Sequence, residues 1–120
     1  MTQNKKSNKY DLEERTLGFA KNVIEFTKIL PQTICKIELI KQLVRASGSV
    51  GANCIEANES LSRKDFAVRV KICRKECKES RHWLNLIETS GESYTEKKQM
   101  LINEATELMK IFGSIVEKTK

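Results

Sequence analysis

Apolar and small residues recur along this chain in steps of three and four, and four stretches keep that rhythm unbroken. In the first it runs Thr16, Ala20, Val23, Thr27, Leu30, flanked by Phe19 and Phe26. The second reads Ile40, Leu43, Ser47, Val50, Cys54, Ala57, Leu61, and the third Phe66, Val70, Cys73, Cys77, Ser80, Leu84, Ile87. The fourth reads Leu101, Ala105, Leu108, Phe112, Ile115. Such steps average about 3.5, close to the helical repeat, so each seam stays on one side of an α-helix. None of the stretches shows the two-residue alternation of a strand.

Local signals set the boundaries. A first helix is predicted from Asp11 to Leu30, with Asp11 to Glu14 placing negative charge at its positive end. Pro31, the only proline, ends it by pushing its predecessor out of the α region. The second helix is predicted from about Thr33 to Ser60. It contains Ser47, Gly48, Ser49, Gly51 and Ala52, and each interior glycine costs about 1 kcal/mol relative to alanine. Close approach of another backbone would compensate for that, and a kink is the alternative; the continuous seam favours an unbroken helix. Ser62 and Asp65 form an S-x-x-D start signal for a third helix from about Lys64 to Ser90, with Gly91 just past its end. The fourth starts after Ser93 or Thr95. Connections this short force antiparallel neighbours, so the expected fold is all-α: an antiparallel up-down-up-down four-helix bundle over residues 11–120. Residues 1–10 read as a disordered basic tail carrying Lys5, Lys6 and Lys9.

Composition narrows the class. Charged residues make up 32% of the chain, and no run approaches the roughly 18 apolar residues that a membrane span requires. The stretch Met1 to Tyr10 lacks the apolar segment of a signal peptide, so a cytoplasmic location is expected. Cys54, Cys73 and Cys77 fall on seams, where a free thiol acts as a small apolar side chain. Cys73 and Cys77 lie one turn apart and could share a metal. The single histidine, His82, points elsewhere and no C-x-x-C pair exists, so neither metal nor cofactor is expected.

The net charge of +6 is unevenly placed. Between Arg63 and Arg81 eight Lys or Arg residues accompany three acids. On a helical wheel Lys64, Lys71, Arg74, Lys75, Lys78 and His82 fall within roughly 80° of one another, with Arg81 at the margin, opposite the seam. Rows of this kind match a phosphate backbone and bind it with strong salt dependence, although lysine-rich faces are also ordinary on solvated bundles. Aromatic side chains for stacking bases are scarce. Ile72, Trp83 and Leu86 lie between seam and stripe, beside Glu76 and Glu79. Leu17 and Ile24 on the first helix, and Ile102, Met109 and Val116 on the fourth, widen those apolar faces too. More than one apolar face per helix points to self-association.

Two motifs carry a resemblance. The stretch Leu39-x-x-Gln42-Leu43-x-Arg45-Ala46-x-x-Ser49-Val50-Gly51-Ala52-Asn53-x-x-Glu56-Ala57 resembles the signature of the four-helix-bundle proteins encoded in intervening sequences of bacterial 23S ribosomal RNA genes. So does Lys71-Ile72-x-x-Lys75-Glu76-x-x-Glu79-Ser80-x-x-Trp83-Leu84. Many of those proteins have proline where this chain has Gly51, a departure that favours an unbroken second helix here. The resemblance implies a cytoplasmic ring, a homopentamer, with no enzymatic activity. It also implies kinship with the accessory protein of diversity-generating retroelements, a basic pentamer that works with a reverse transcriptase and its RNA. Carried over residue by residue, Gln42, Arg45, Asn53, Glu56, Lys75, Glu76 and Glu79 look like bundle and interface residues. Because buried charges must be paired, Arg45 is expected to face Glu76 or Glu79.

Two functions fit these observations. One is a non-enzymatic oligomer that binds RNA or DNA through Lys64, Lys71, Arg74, Lys75, Lys78 and Arg81, with Arg45, Ile72, Glu76, Glu79, Trp83 and Leu86 at subunit interfaces. The alternative is an adaptor ring whose basic face meets an acidic protein. An enzyme is disfavoured, because Glu56, Glu76 and Glu79 are helical carboxylates with no nucleophile, base or metal set around them.

Overall fold

Four helices follow one another with short connections: α1 Ser7–Lys28, α2 Ile34–Asn58, α3 Arg63–Leu86 and α4 Glu92–Lys118. The structure, a computed structural model, describes residues 7–120. Of the expected basic tail, residues 1–6 lie outside the described residues, and 7–10 form the first turn of α1. Asp11 to Glu14 consequently sit one turn further inside that helix than expected.

Partner positions fall as chain position rises, which makes every neighbouring pair antiparallel. Glu13 of α1 accepts a hydrogen bond from Asn58 of α2, while Thr16 lies beside Gly51. Val50 of α2 accepts from the Cys73 thiol, and Asn53 accepts from Arg69. Arg74 and Arg81 of α3 meet Gly113 and Thr106 of α4. Helices adjacent in sequence touch, and α4 closes the circle on α1. That last seam is the thinnest, and the body is flattened, 44 × 32 × 19 Å.

The seams form the core. Phe19, Val23, Leu43, Val50, Cys73, Cys77, Leu84, Ile87, Leu108 and Phe112 are all buried. The polar seam residues stay in register because their hydroxyls return to their own helices. Thr16 donates to the carbonyl of Leu12, Thr27 to Ile24, Ser47 to Val44 and Ser80 to Glu76. On α4 the seam ends on Val116, which is buried, and Ile102 and Met109 pack against the core. The outward apolar face expected of α4 is therefore absorbed by the bundle. At the end of α2, Leu61 is 98% exposed, because the helix has stopped before it.

Helix ends follow side-chain chemistry. Thr33 and Ser62 are N-caps, accepting from the backbone N–H of Lys36 and Asp65. Gln32 donates to the carbonyl of Leu30 behind α1. Helix α3 stops at Leu86, four residues before the expected end. There the chain turns extended so that Ile87 drops into the core, and the Lys98 ammonium takes the Ile87 carbonyl at 3.0 Å. Gly91, at φ 94°, thus precedes α4 rather than closing α3. The glycine-rich middle of α2 is unbroken. A Cβ on Gly51 would sit 3.3 Å from the Thr16 hydroxyl and 3.8 Å from the Thr16 backbone, so the neighbour that approaches closely is α1, whereas a Cβ on Gly48 would meet nothing within 4 Å.

Cys54, Cys73 and Cys77 are buried free thiols and Cys35 is exposed. Burial pushes the Cys54 thiol up from 9.0 to about 11 and Cys73 to about 12, with Cys77 raised further still. A group whose folded pKa is raised lends stability that is full below its unfolded pKa and is lost as pH climbs towards the folded one. Stability should therefore decline from about pH 9, by about 1.4 kcal/mol per pH unit for each buried thiol. Denaturant melts across pH 8–11 should show this slope easing in Cys73→Ala. Ellman's reagent should titrate Cys35 alone in the native protein and all four thiols after denaturation.

Candidate nucleic-acid interface

Helix α3 is basic on its outer side, and its neighbours sort that charge. Lys64, Lys71, Lys75, Lys78 and His82 are exposed. Arg74 and Arg81 are half-buried towards α4: the Arg74 stem lies against Gly113, and Arg81 Nη1 donates to Thr106 Oγ1 at 3.2 Å. Among the described residues, none of Lys64, Lys71, Arg74, Lys75, Lys78 and Arg81 forms an ion pair.

The acids of α3 face the other way. Arg45 of α2 donates from Nη2 to Glu79 Oε1 at 3.0 Å, and its Nη1 lies 3.6 Å from Glu76 Oε1. The expected pairing of Arg45 is formed, and it takes both carboxylates. The Glu76 side chain is only 8% exposed, against 41% for Glu79 and 52% for Arg45. The third acid, Asp65, stands in the first turn of α3, at the far end from Arg81. Glu79, spaced to meet Lys75 at i−4, is thus drawn to α2, and the ridge keeps its charge.

That charge is crowded. Lys71, Arg74, Lys75, Lys78 and Arg81 are one another's three- and four-residue neighbours on the helix. Like charges at those spacings cost about 0.2–0.5 kcal/mol per pair. Among the described residues no ion pair offsets this, as it would on an ordinary salt-bridged surface helix.

Beside the acids, Ile72 and Trp83 are half-buried, and Trp83 packs on the core with its ring edge-on to His82, centroids 4.9 Å apart. Trp83 Nε1 and Glu76 Oε1 are buried without a hydrogen-bond partner. Of the residues expected at subunit contacts, Arg45, Glu76 and Glu79 are knitted together inside the chain, while Leu86 stands open.

Sequence reasoning missed Lys110. It is exposed on α4, four residues after Thr106 and three before Gly113, the two positions that α3 arginines touch. Helical spacing places it on the same side, so it extends the cationic surface onto α4. The signal was the alignment of α4 against α3, which no single helical wheel contains. Arg69, also basic, is spent on Asn53.

A concavity of about 540 Å³ runs along the thin α1–α4 seam and is lined by Phe19, Phe26 and Leu101. Its carboxylate, Glu104, is held by Arg15 through bonds of 2.7 and 2.9 Å, and this hydrogen bonding raises the Arg15 guanidinium pKa further. Among the described residues no group of three or more His, Cys, Asp or Glu is placed to hold a metal, and no helix is long and apolar enough to cross a membrane.

Removing Arg45 should strand Glu76 in an apolar setting. Arg45→Ala is expected to destabilise the fold by about 2 kcal/mol, and Glu79→Gln by less than about 1 kcal/mol. Glu76→Gln should recover part of the Arg45→Ala loss, giving a coupling in a double-mutant cycle by urea denaturation. Independent, additive losses would refute the pairing.

Comparison with known proteins agrees with this architecture. No functionally curated protein matches the chain. A solved structure of a protein of unknown function from the S23 ribosomal protein family of Bacteroides thetaiotaomicron superposes with a TM-score of 0.75 at 29% identity, covering 88% of this chain and 97% of that one. The sequence profile of the family described as 23S rRNA-intervening sequence protein matches residues 8–114, nearly the whole bundle. The chain belongs to the 23S rRNA-intervening sequence protein family.

Proposed function

We propose that this protein is a non-enzymatic, oligomeric nucleic-acid-binding protein of the cytoplasm, whose α3 ridge engages phosphate backbones. The observation that carries the reading is the unpaired ridge: five like charges crowded on one helix face while the neighbouring acids are tied to Arg45. From Lys64 to Arg81 the row spans about 25 Å, long enough to follow several phosphates. The ridge offers no aromatic platform, so it grips backbone rather than stacking bases. The family's description, tied to a 23S rRNA intervening sequence, favours RNA over DNA. A ring of copies, a pentamer as the resemblance implies, would sum weak contacts through avidity, and a protein partner such as a reverse transcriptase could share the same RNA.

Lys71 and Lys78 are exposed and form no ion pair among the described residues, which makes them clean probes. Replacing both with glutamine should leave stability unchanged or raise it by a few tenths of a kcal/mol, because like-charge neighbours are removed. The same change should weaken RNA binding and lower the slope of log K against log salt by about 2. Filter binding or fluorescence anisotropy from 50 to 200 mM salt reads both effects. Arg45→Ala should also weaken binding, by releasing Glu79 towards Lys75. Salt-independent binding, or nuclease-insensitive capture of one acidic protein, would overturn the nucleic-acid reading in favour of an adaptor.

A further inference from the structure

Across the bundle from the ridge, α1 and α2 present a different surface. A groove of about 470 Å³ runs between them, lined by Leu17, Ala20, Gly48, Ala52 and Ile55, with Thr16 and Gly51 at its floor. Leu17 is 53% exposed and Ile55 49%. Ile24 lies seven residues from Leu17 and Val44 four before Gly48, so both continue the same face, and both are exposed. Unlike Ile102, Met109 and Val116 of α4, these are not gathered into the core. The α2–α3 flank, by contrast, keeps its polar members bonded to one another.

We infer that this α1–α2 face is the surface on which a second copy of this chain docks, deepening the oligomeric part of the proposed function. Area supports the occupant. Two adjacent helices about 33 Å long present a face of roughly 650 Å² per copy, near the roughly 800 Å² per partner of a stable protein interface. A small ligand would not need that length. An anionic membrane would call for Lys and Arg around the apolar residues, but the groove is rimmed at one end by Glu13 and Glu14.

Gly48 supplies the point of closest approach. Glycine is the poorest helix former after proline, and at Gly51 the approach of Thr16 accounts for it. At Gly48 nothing among the described residues does, since an added Cβ meets no atom within 4 Å. A helix of a second copy crossing there would approach the bare backbone. The placement also leaves the α3 ridges facing away from the contact, free to reach phosphate.

The test is solution mass by sedimentation velocity across micromolar concentrations, after nuclease treatment, for the full chain and two variants. Gly48→Gln adds bulk in open space and improves helix propensity. Leu17→Lys puts a cation three and four residues after Glu14 and Glu13, where it pairs favourably. Both should melt at or above the wild-type temperature as dilute monomers, yet raise the dissociation constant of self-association at least tenfold. Lys71→Gln/Lys78→Gln, which impairs RNA binding, should assemble like the wild type, so the two claims fail separately. A wild type that stays monomeric, with or without flotation on phosphatidylcholine vesicles, would overturn the inference. So would a Gly48→Gln variant that assembles undiminished.

Discussion

Arg45 reaches from α2 to α3 and holds Glu79 at 3.0 Å while lying 3.6 Å from the buried Glu76. Two consequences follow from that placement. It gives a buried carboxylate a counter-charge, without which the Glu76 site would hold an uncompensated charge at a cost to the fold. It also turns the acids of α3 away from the lysines of α3. An isolated α3 peptide would be free to bring Glu79 onto Lys75, since i,i+4 partners attract on any exposed helix. Inside the bundle the guanidinium competes better, because its planar fork can serve both carboxylates at once. The outer face is cationic because of where α2 lies.

This dependence orders the rest of the molecule. Antiparallel packing sets Arg45 level with Glu76 and Glu79, and the same register sets Asn53 beside Arg69. On the other flank it sets Thr106 and Gly113 beside Arg81 and Arg74. Helix α3 is thus sorted into an acidic flank turned to α2 and a basic one turned to α4 and to solvent. A change of one turn in the α2–α3 register would carry Glu79 away from Arg45 and the ridge would be partly neutralised. The Cys73 thiol on the Val50 carbonyl and Arg69 on Asn53 hold α3 against α2 in this register.

Much of this was legible in the sequence, and unevenly so. The four helices and their antiparallel order follow from seam spacing and short turns, because burying one stripe per helix admits few arrangements. The Arg45 pairing was legible because a core-edge carboxylate needs a cation and few were within reach. The end of α3 was not. A glycine after a helix suggests a C-cap, but Ile87 gains more by leaving the helix for the core, with Lys98 covering its carbonyl. Nor was the fate of Ile102, Met109 and Val116 legible, since a wide apolar face reads alike whether it turns inward or outward. Lys110 joins the ridge only once two helices are aligned, a relation between elements that single-helix periodicity does not encode.

Separation of the two outer surfaces has its own physical logic. Phosphate contacts made by exposed lysines are individually weak and screened within about 8–10 Å at physiological salt. A single ridge of five or six charges would therefore give modest, salt-labile binding, and repetition is the available route to tighter binding without new chemistry. Repetition requires a contact that does not consume the ridge. Placing the apolar residues on the α1–α2 edge and the cations on the α3–α4 edge meets that requirement, since each edge can be buried without covering the other. In the proposed assembly it would also keep the ridges of neighbouring copies apart, limiting the repulsion that clustering so much positive charge would bring. Were both features on one helix face, assembly and phosphate binding would exclude each other; on opposite edges the two proposed activities are compatible.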